Sequence, residues 1–141
     1  MHIRNYAPTD RDACLEVFHS STPDLLTADS LPQFAVFLDS DPTSFFVAEN
    51  EGEIVGCGGF AVRGDTGRLE WGLVRRKFQR MGIGRFLLFY RLREITRSGE
   101  VQFVGLDCPR LAAPFYVSQG FREVSGDSER AEMVKRLAVC A

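Results

Sequence analysis

Histidine is nearly absent: the 141 residues hold two, His2 and His19. Neither has companion ligands at metal spacing, so no metal site is expected. Cysteine is scarce and scattered, at Cys14, Cys57, Cys108 and Cys140, with no C-x-x-C pair. That pattern excludes a disulfide scaffold or zinc ribbon and reads as reduced thiols of a cytoplasmic protein. No apolar run approaches the roughly 20 residues of a membrane span. The opening M-H-I-R-N-Y lacks the apolar core of a signal peptide. Charge of one sign is missing too: the net value is −2, which provides no global basic field for nucleic acid. Neither nucleic acid nor a membrane is therefore an expected partner.

What is present describes an ordinary globular chain, 45% hydrophobic and 26% charged. Its length predicts a single domain over residues 1–141 with a real core. The twelve phenylalanines belong mostly to that core, with some available to line an apolar acceptor cleft. Period and punctuation predict a strand at 2–6 and a helix from a Thr9 or Asp10 cap to about 20. A helix at 31–38 follows. A strand at 44–49 returns through Glu51-Gly52 as a strand at 54–62. Gly56, Gly58 and Gly59 inside that strand either permit close packing or leave room for substrate. The turn Gly64-Asp65-Thr66-Gly67 leads into a central strand from Arg68. A helix over 82–98 has Ile83, Phe86, Leu87, Tyr90 and Ile95 on its buried side. A strand at 101–107, a helix at 110–119 and closing strands at 121–124 and 132–137 complete an α/β chain with a mixed sheet.

The chain is organised around residues 69–88, L-E-W-G-L-V-R-R-K-F-Q-R-M-G-I-G-R-F-L-L. A strand gives way to a basic, glycine-bearing turn and then to a helix start. Free N–H groups and the peptide dipoles at such a start favour an anion. Arg75, Arg76, Lys77, Arg80 and Arg85 add positive charge. No G-x-x-x-x-G-K-[ST] run exists, and Leu87 stands where a dinucleotide fingerprint needs its last small residue. What remains, Q-R-M-G-I-G at 79–84, resembles the Q/R-x-x-G-x-G/A pyrophosphate loop of the GNAT acetyltransferase superfamily. A second stretch, A-A-P-F-Y-V-S-Q-G-F at 112–121, is similar to the same family's C-terminal helix, with Tyr116, Gly120 and Phe121 at the matching spacing. Pro109 departs from the pattern, since many members carry there an asparagine that contacts the cofactor. The resemblance covers residues 44–125.

The resemblance implies a mostly antiparallel mixed sheet, flanked by helices and splayed at its central strand. It also implies direct transfer of an acetyl group from acetyl-coenzyme A to a primary amine of a small molecule or peptide. The loop Gln79, Arg80, Met81, Gly82, Ile83, Gly84 and Arg85 would bind the pyrophosphate. Alternation puts Leu69, Trp71 and Leu73 on one face of the central strand and Glu70, Gly72 and Val74 on the other. Leu73 and Val74 would offer backbone groups at the splay to the pantetheine arm and the thioester oxygen. Glu70 is a general base or, alternatively, an ion-pair partner of Arg68 or Arg63. Tyr116 faces the sulfur or is a core tyrosine. An acyl-cysteine route through Cys108 lacks a visible base. Residues 23–37, with Asp24 and Asp29 among Leu25, Leu26, Leu31 and Phe34, are expected to wall the acceptor cleft and to suit a cationic amine. A non-catalytic acyl-coenzyme A-binding sensor is the alternative. A homodimer is compatible with the sheet edges, and no residue establishes one.

Overall fold

The computed structural model describes residues 1–21 and 30–137. The elements are β1 (His2–Asn5), α1 (Arg11–Ser20), α2 (Leu31–Asp39), β2 (Phe45–Asn50), β3 (Glu53–Arg63), β4 (Thr66–Val74), α3 (Ile83–Arg97), β5 (Phe103–Pro109), α4 (Ala113–Ser118), β6 (Arg122–Gly126) and β7 (Arg130–Arg136). They form a mixed α/β fold whose seven-stranded sheet has the order β1-β2-β3-β4-β5-β7-β6. β4 and β5 are parallel, which requires a crossover, and α3 supplies it. The β1–β2, β2–β3, β5–β7 and β6–β7 pairs are antiparallel. The chain divides into two compact units, Met1–Gly59 with Trp71–Arg91 and Phe60–Glu70 with Leu92–Ala141.

In the first unit, Cys14, Val17 and Phe18 of α1 and Phe34 and Leu38 of α2 are buried with Phe45, Val47, Cys57 and Leu73 from the strands. The aromatic rings carry much of the packing. Phe18 stacks on Phe34 at 5.4 Å, and Trp71 lies 4.9 Å from Phe34 and 6.1 Å from Phe37. Phe34 is therefore core, not part of an acceptor wall. Leu31, half-buried, packs against the same core, and the remaining acceptor residues Asp24, Leu25, Leu26 and Asp29 lie outside the described residues. Asp10 does not cap α1 through its side chain. Its carboxylate instead accepts the Ala7 N–H at 2.8 Å and two bonds from Arg4 at 2.8 and 2.9 Å. Arg4 beside it holds that carboxyl below the ordinary range.

Glu51 and Gly52 both have positive φ, 52° and 81°, as the tight β2–β3 hairpin requires. The strand glycines serve packing. A Cβ on Gly56 would sit 2.9 Å from the Leu73 carbonyl oxygen and 3.0 Å from Leu87, and one on Gly59 would sit 2.5 Å from the Ser44 carbonyl oxygen. On α3, Ile83, Leu87, Leu88 and Arg91 are buried while Phe86 is 51% exposed, against expectation. The four-residue spacing 83-87-91 centres the buried stripe, and Phe86 falls on the outer side of the 3.6-residue turn.

In the second unit, Val104, Leu106 and Cys108 of β5 are buried beside Ala131 and Met133 of β7. β5 begins at Phe103 rather than at 101. β4 begins at Thr66, two residues earlier than expected. Gly67 is buried within the strand, its Cβ direction 3.3 Å from Ile95, so the turn shrinks to Gly64-Asp65 with Gly64 at φ 62°. Cys14, Cys57 and Cys108 are free, buried thiols, and Cys140 lies outside the described residues. Among the described residues, no helix is long and apolar enough to cross a membrane.

Candidate active site

The basic turn lies in the first unit. After β4 the chain makes a short 3-10 segment at Arg76–Phe78 and reaches Arg80 and Gly82 in left-handed conformations, φ 63° and 85°. Gly82 caps α3 but has no side chain with which to satisfy it. The first intrahelical bond is donated by Phe86 N–H to the Gly82 carbonyl at 3.0 Å. Helix geometry therefore leaves the N–H groups of Ile83, Gly84 and Arg85 without intrahelical acceptors. Gly82 is exposed, and nothing stands within 4 Å of where its Cβ would be. Amide donors at a positive dipole end, beside the open space at Gly82, suit an anion such as a pyrophosphate.

The side chains of this loop divide into anchors and free groups. The Gln79 amide donates to the Val74 carbonyl at 3.1 Å, and the Ser21 hydroxyl donates to the same oxygen at 3.3 Å. Gln79 thus ties the loop to the end of β4. Ile83 and Leu73 bury their side chains, so only their backbones are available to a ligand, whereas Met81 is largely exposed. Arg75 pairs with Glu16 at 3.4 Å and Lys77 with Glu53 at 3.6 Å, and the Arg76 Nε donates to the Ser20 carbonyl at 2.7 Å. Three of the five cations are thereby engaged by their own chain. The Arg85 guanidinium lies 5.2 Å from the Phe89 ring centroid, and Arg80 makes no ion pair among the described residues.

β4 does not keep a strict two-residue alternation. Gly67 faces Ile95 of α3, which by alternation would put Leu69 and Trp71 on the same side. Trp71 instead packs on Phe34 and Phe37, and it is Gly72 whose Cβ direction meets Arg91 of α3, at 3.0 Å. The phase slips by one residue, and the left-handed φ of 51° at Trp71 marks the slip. Leu73 shares the Trp71 side, in the core.

In the second unit, the parallel β4–β5 ladder runs from Thr66↔Phe103 to Arg68↔Gly105. Glu70 lies two residues beyond it. Arg68 is committed to Glu132, with bonds of 2.7 and 3.3 Å. Glu70 makes no ion pair or side-chain hydrogen bond among the described residues, and burial pushes its carboxyl up against the opposing charge of Arg68. α4 places Tyr116 half-buried, its ring edge-on to Phe115 at 5.0 Å and to Phe121 at 5.6 Å. The Tyr116 carbonyl accepts the N–H groups of Gln119 and Phe121, both at 3.0 Å, and Gly120 takes φ 93° to close that turn. Burial pushes the Cys108 thiol up, opposite to what a nucleophilic cysteine needs. Arg91 is the residue that sequence reasoning missed. Its signal is a cation four residues from both Leu87 and Ile95, in the middle of an apolar stripe.

A model of the GNAT acetyltransferase domain matches residues 41–123, more than half of the chain. No curated protein matches. Among solved structures, the fold is similar to the ribosomal-protein-S18-alanine N-acetyltransferase of Escherichia coli, with TM-score 0.80 and 21% identity, covering 99% of this chain and 96% of that one. It is also similar to the ribosomal-protein-alanine N-acetyltransferase of Brucella melitensis, at TM-score 0.74 and 22% identity over 97% and 100%. The PaiA N-acetyltransferase of Thermoplasma acidophilum, solved in complex with coenzyme A, gives TM-score 0.77 and 16% identity over 96% and 98%. The chain belongs to the GNAT family and is an N-acetyltransferase that uses acetyl-coenzyme A.

Proposed function

We propose that this enzyme acts as one acetyltransferase domain over residues 1–141, in the cytoplasm, and acetylates a primary amine of a small molecule or peptide by direct transfer. The observation that carries the reading is the open, left-handed Gly82 at the head of α3. The backbone of Gln79 to Gly84 cradles the pyrophosphate, and Arg80 and Arg85 add charge. The buried free thiols suit a reducing compartment.

Bound acetyl-coenzyme A supplies a thioester, an acyl group on a sulfur leaving group. Leu73 and Val74 offer backbone groups to the pantetheine arm and the thioester oxygen; the Val74 carbonyl is already taken by Gln79 and Ser21, which leaves its N–H as the group it offers. Glu70 accepts the amine proton, directly or through a water, as the new C–N bond forms and the C–S bond breaks. Arg68 is held by Glu132, which leaves the Glu70 carboxylate available for this work. The Tyr116 hydroxyl stabilises the departing thiolate by hydrogen bonding. Free tyrosine has a pKa near 10 and a thiol about 8.5, so full proton donation is uphill by roughly 2 kcal/mol.

Two of the structural relatives are ribosomal-protein-alanine N-acetyltransferases. An alanine-initiated tetrapeptide therefore heads the acceptor panel, followed by spermidine, kanamycin and free amino acids. Isothermal titration with acetyl-coenzyme A, coenzyme A and desulfo-coenzyme A comes first, then thiol release with that panel. Micromolar binding and amine-dependent thiol release are expected. Binding without release from any amine would favour a non-catalytic acyl-coenzyme A sensor. No binding by the folded protein would defeat the loop assignment.

A further inference from the structure

Arg91 lies in the first unit at the centre of the apolar stripe of α3 and is 3% exposed. A cation in that position is costly to desolvate unless its hydrogen-bonding capacity is used. The chain makes space for it with two glycines on different strands. A Cβ on Gly58 of β3 would stand 2.9 Å from the guanidinium Cζ, and one on Gly72 of β4 would stand 3.0 Å from a terminal guanidinium nitrogen. One terminal nitrogen donates to the Gly59 carbonyl at 3.3 Å, and Nε donates to the Leu87 carbonyl at 3.3 Å. The planar guanidinium therefore bridges α3 to β3 while its far edge bears on β4 at Gly72.

Gly72 follows Trp71, the left-handed residue at which β4 changes phase. On the opposite side of the slip, the Cys57 thiol donates to the Trp71 carbonyl at 3.7 Å, and the Trp71 ring rests on Phe34 and Phe37. A bulge with a non-glycine residue at positive φ persists only where its surroundings over-determine it. Here aromatic rings hold one side and a guanidinium the other. We infer that Arg91 is a positioning residue: it fixes the Trp71–Gly72 bulge of β4 and thereby aims the Val74 N–H at the thioester oxygen. The catalytic meaning rests on the acetyl-transfer reading above. The mechanical part rests on the bay made by Gly58 and Gly72.

The protein carries a built-in reporter, because Trp71 is its one tryptophan. Arg91→Leu, which suits the apolar stripe, and Arg91→Lys are compared with the parent by far-UV and near-UV circular dichroism. Both are then titrated calorimetrically with acetyl-coenzyme A and coenzyme A. The expected result is a folded Arg91→Leu with a diminished tryptophan band. Its acetyl-coenzyme A affinity falls about tenfold while coenzyme A stays within about twofold, as the loss of one aligned hydrogen bond to the acyl oxygen requires. Arg91→Lys restores part of the band and part of the selectivity. A purely structural role would weaken both ligands alike.

Folded variants with the parental tryptophan band and the parental ratio of the two affinities would overturn the proposal. If Arg91→Leu does not fold, Gly58→Ala carries the same test, since it keeps Arg91 and crowds its guanidinium from 2.9 Å. If the parent binds neither ligand, the acetyl-transfer reading fails, while the tryptophan band still decides whether Arg91 holds the bulge.

Discussion

The glycines of β3 and the glycine before α3 are the same residue used for opposite ends. At Gly56, Gly58 and Gly59 the missing Cβ is replaced at once by something of the chain's own: a leucine side chain, a guanidinium, a carbonyl oxygen. At Gly82 nothing takes its place, and the backbone is left-handed. The first kind of glycine closes a core; the second keeps a surface open. The distinction extends to charged groups. Arg68 is spent on Glu132, and Arg76 on Ser20, whereas Glu70 and Arg80 have no such engagement among the described residues. Positions the fold has already filled should respond to substitution in stability, and positions it has left open should respond in binding or rate.

Glu70→Gln offers the hardest blow to that division. It is expected to lower kcat by at least about a hundredfold, the lower range for a lost general base. The sign of the pH dependence follows from the environment. Burial raises the Glu70 carboxyl above its ordinary value, with Arg68 opposing the shift. A base works deprotonated, so kcat/KM should fall as pH drops through that raised value, and the limb should vanish in Glu70→Gln. An unchanged rate and an unchanged acid limb would return Glu70 to the alternative of a strand carboxylate interacting with Arg68.

Gly82→Glu comes next. It is expected to weaken coenzyme A binding by on the order of a hundredfold, about 3 kcal/mol, in a titration of the free protein. Left-handed backbone costs an ordinary residue roughly 1–2 kcal/mol. A carboxylate at a helix N-terminus returns part of that cost. The melting temperature should therefore move little. A large loss of stability with coenzyme A affinity retained would make Gly82 a structural turn only.

How much of this was legible in the sequence depends on whether the cause is local. The order of elements, the Glu51-Gly52 hairpin and the glycine loop were legible because turn chemistry and helix periodicity act within a few residues. Phe86 was misplaced because a spacing of three fits a helical stripe as well as a spacing of four does, and only the packed strands choose between them. The slip at Trp71 was legible only through the family resemblance, as a splay of the central strand, since no turn residue announces its place; it is held by Phe34, Phe37 and Arg91 from elsewhere in the chain. Arg91 drew no reading from the sequence, because its bay is made by Gly58 and Gly72 on other elements. Of the five cations of the loop, the resemblance singled out Arg80 and Arg85, but nothing local in the sequence shows that Glu16, Glu53 and Ser20 claim the other three.

Gly59→Ala tests the filled class. The new methyl would meet the Ser44 carbonyl at 2.5 Å and the Phe45 ring at 2.9 Å, neither free to swing away. Overpacking of this kind costs about 1–3 kcal/mol. The urea midpoint should fall accordingly, with coenzyme A affinity unchanged in the folded fraction. Altered affinity at unchanged stability would show that this strand glycine, too, had been left open for a ligand.

The smallest effect gives the finest discrimination, because it compares two arginines of one loop. Arg80→Gln removes an exposed charge that no carboxylate of the described residues neutralises, and Arg76→Gln removes one whose guanidinium is bonded to the Ser20 carbonyl. An exposed cation beside a polyanion is worth roughly 0.5–1 kcal/mol at modest ionic strength. Arg80→Gln should therefore weaken coenzyme A about threefold at low salt, with the difference shrinking as salt is added. Arg76→Gln should leave the affinity nearly unchanged and instead lower the melting temperature slightly, as the α1 end loses one of its ties to the loop. Equal losses of affinity in the two variants would mean that the loop acts through its summed field. The engagement of Arg76 by its own chain would then be irrelevant to the ligand.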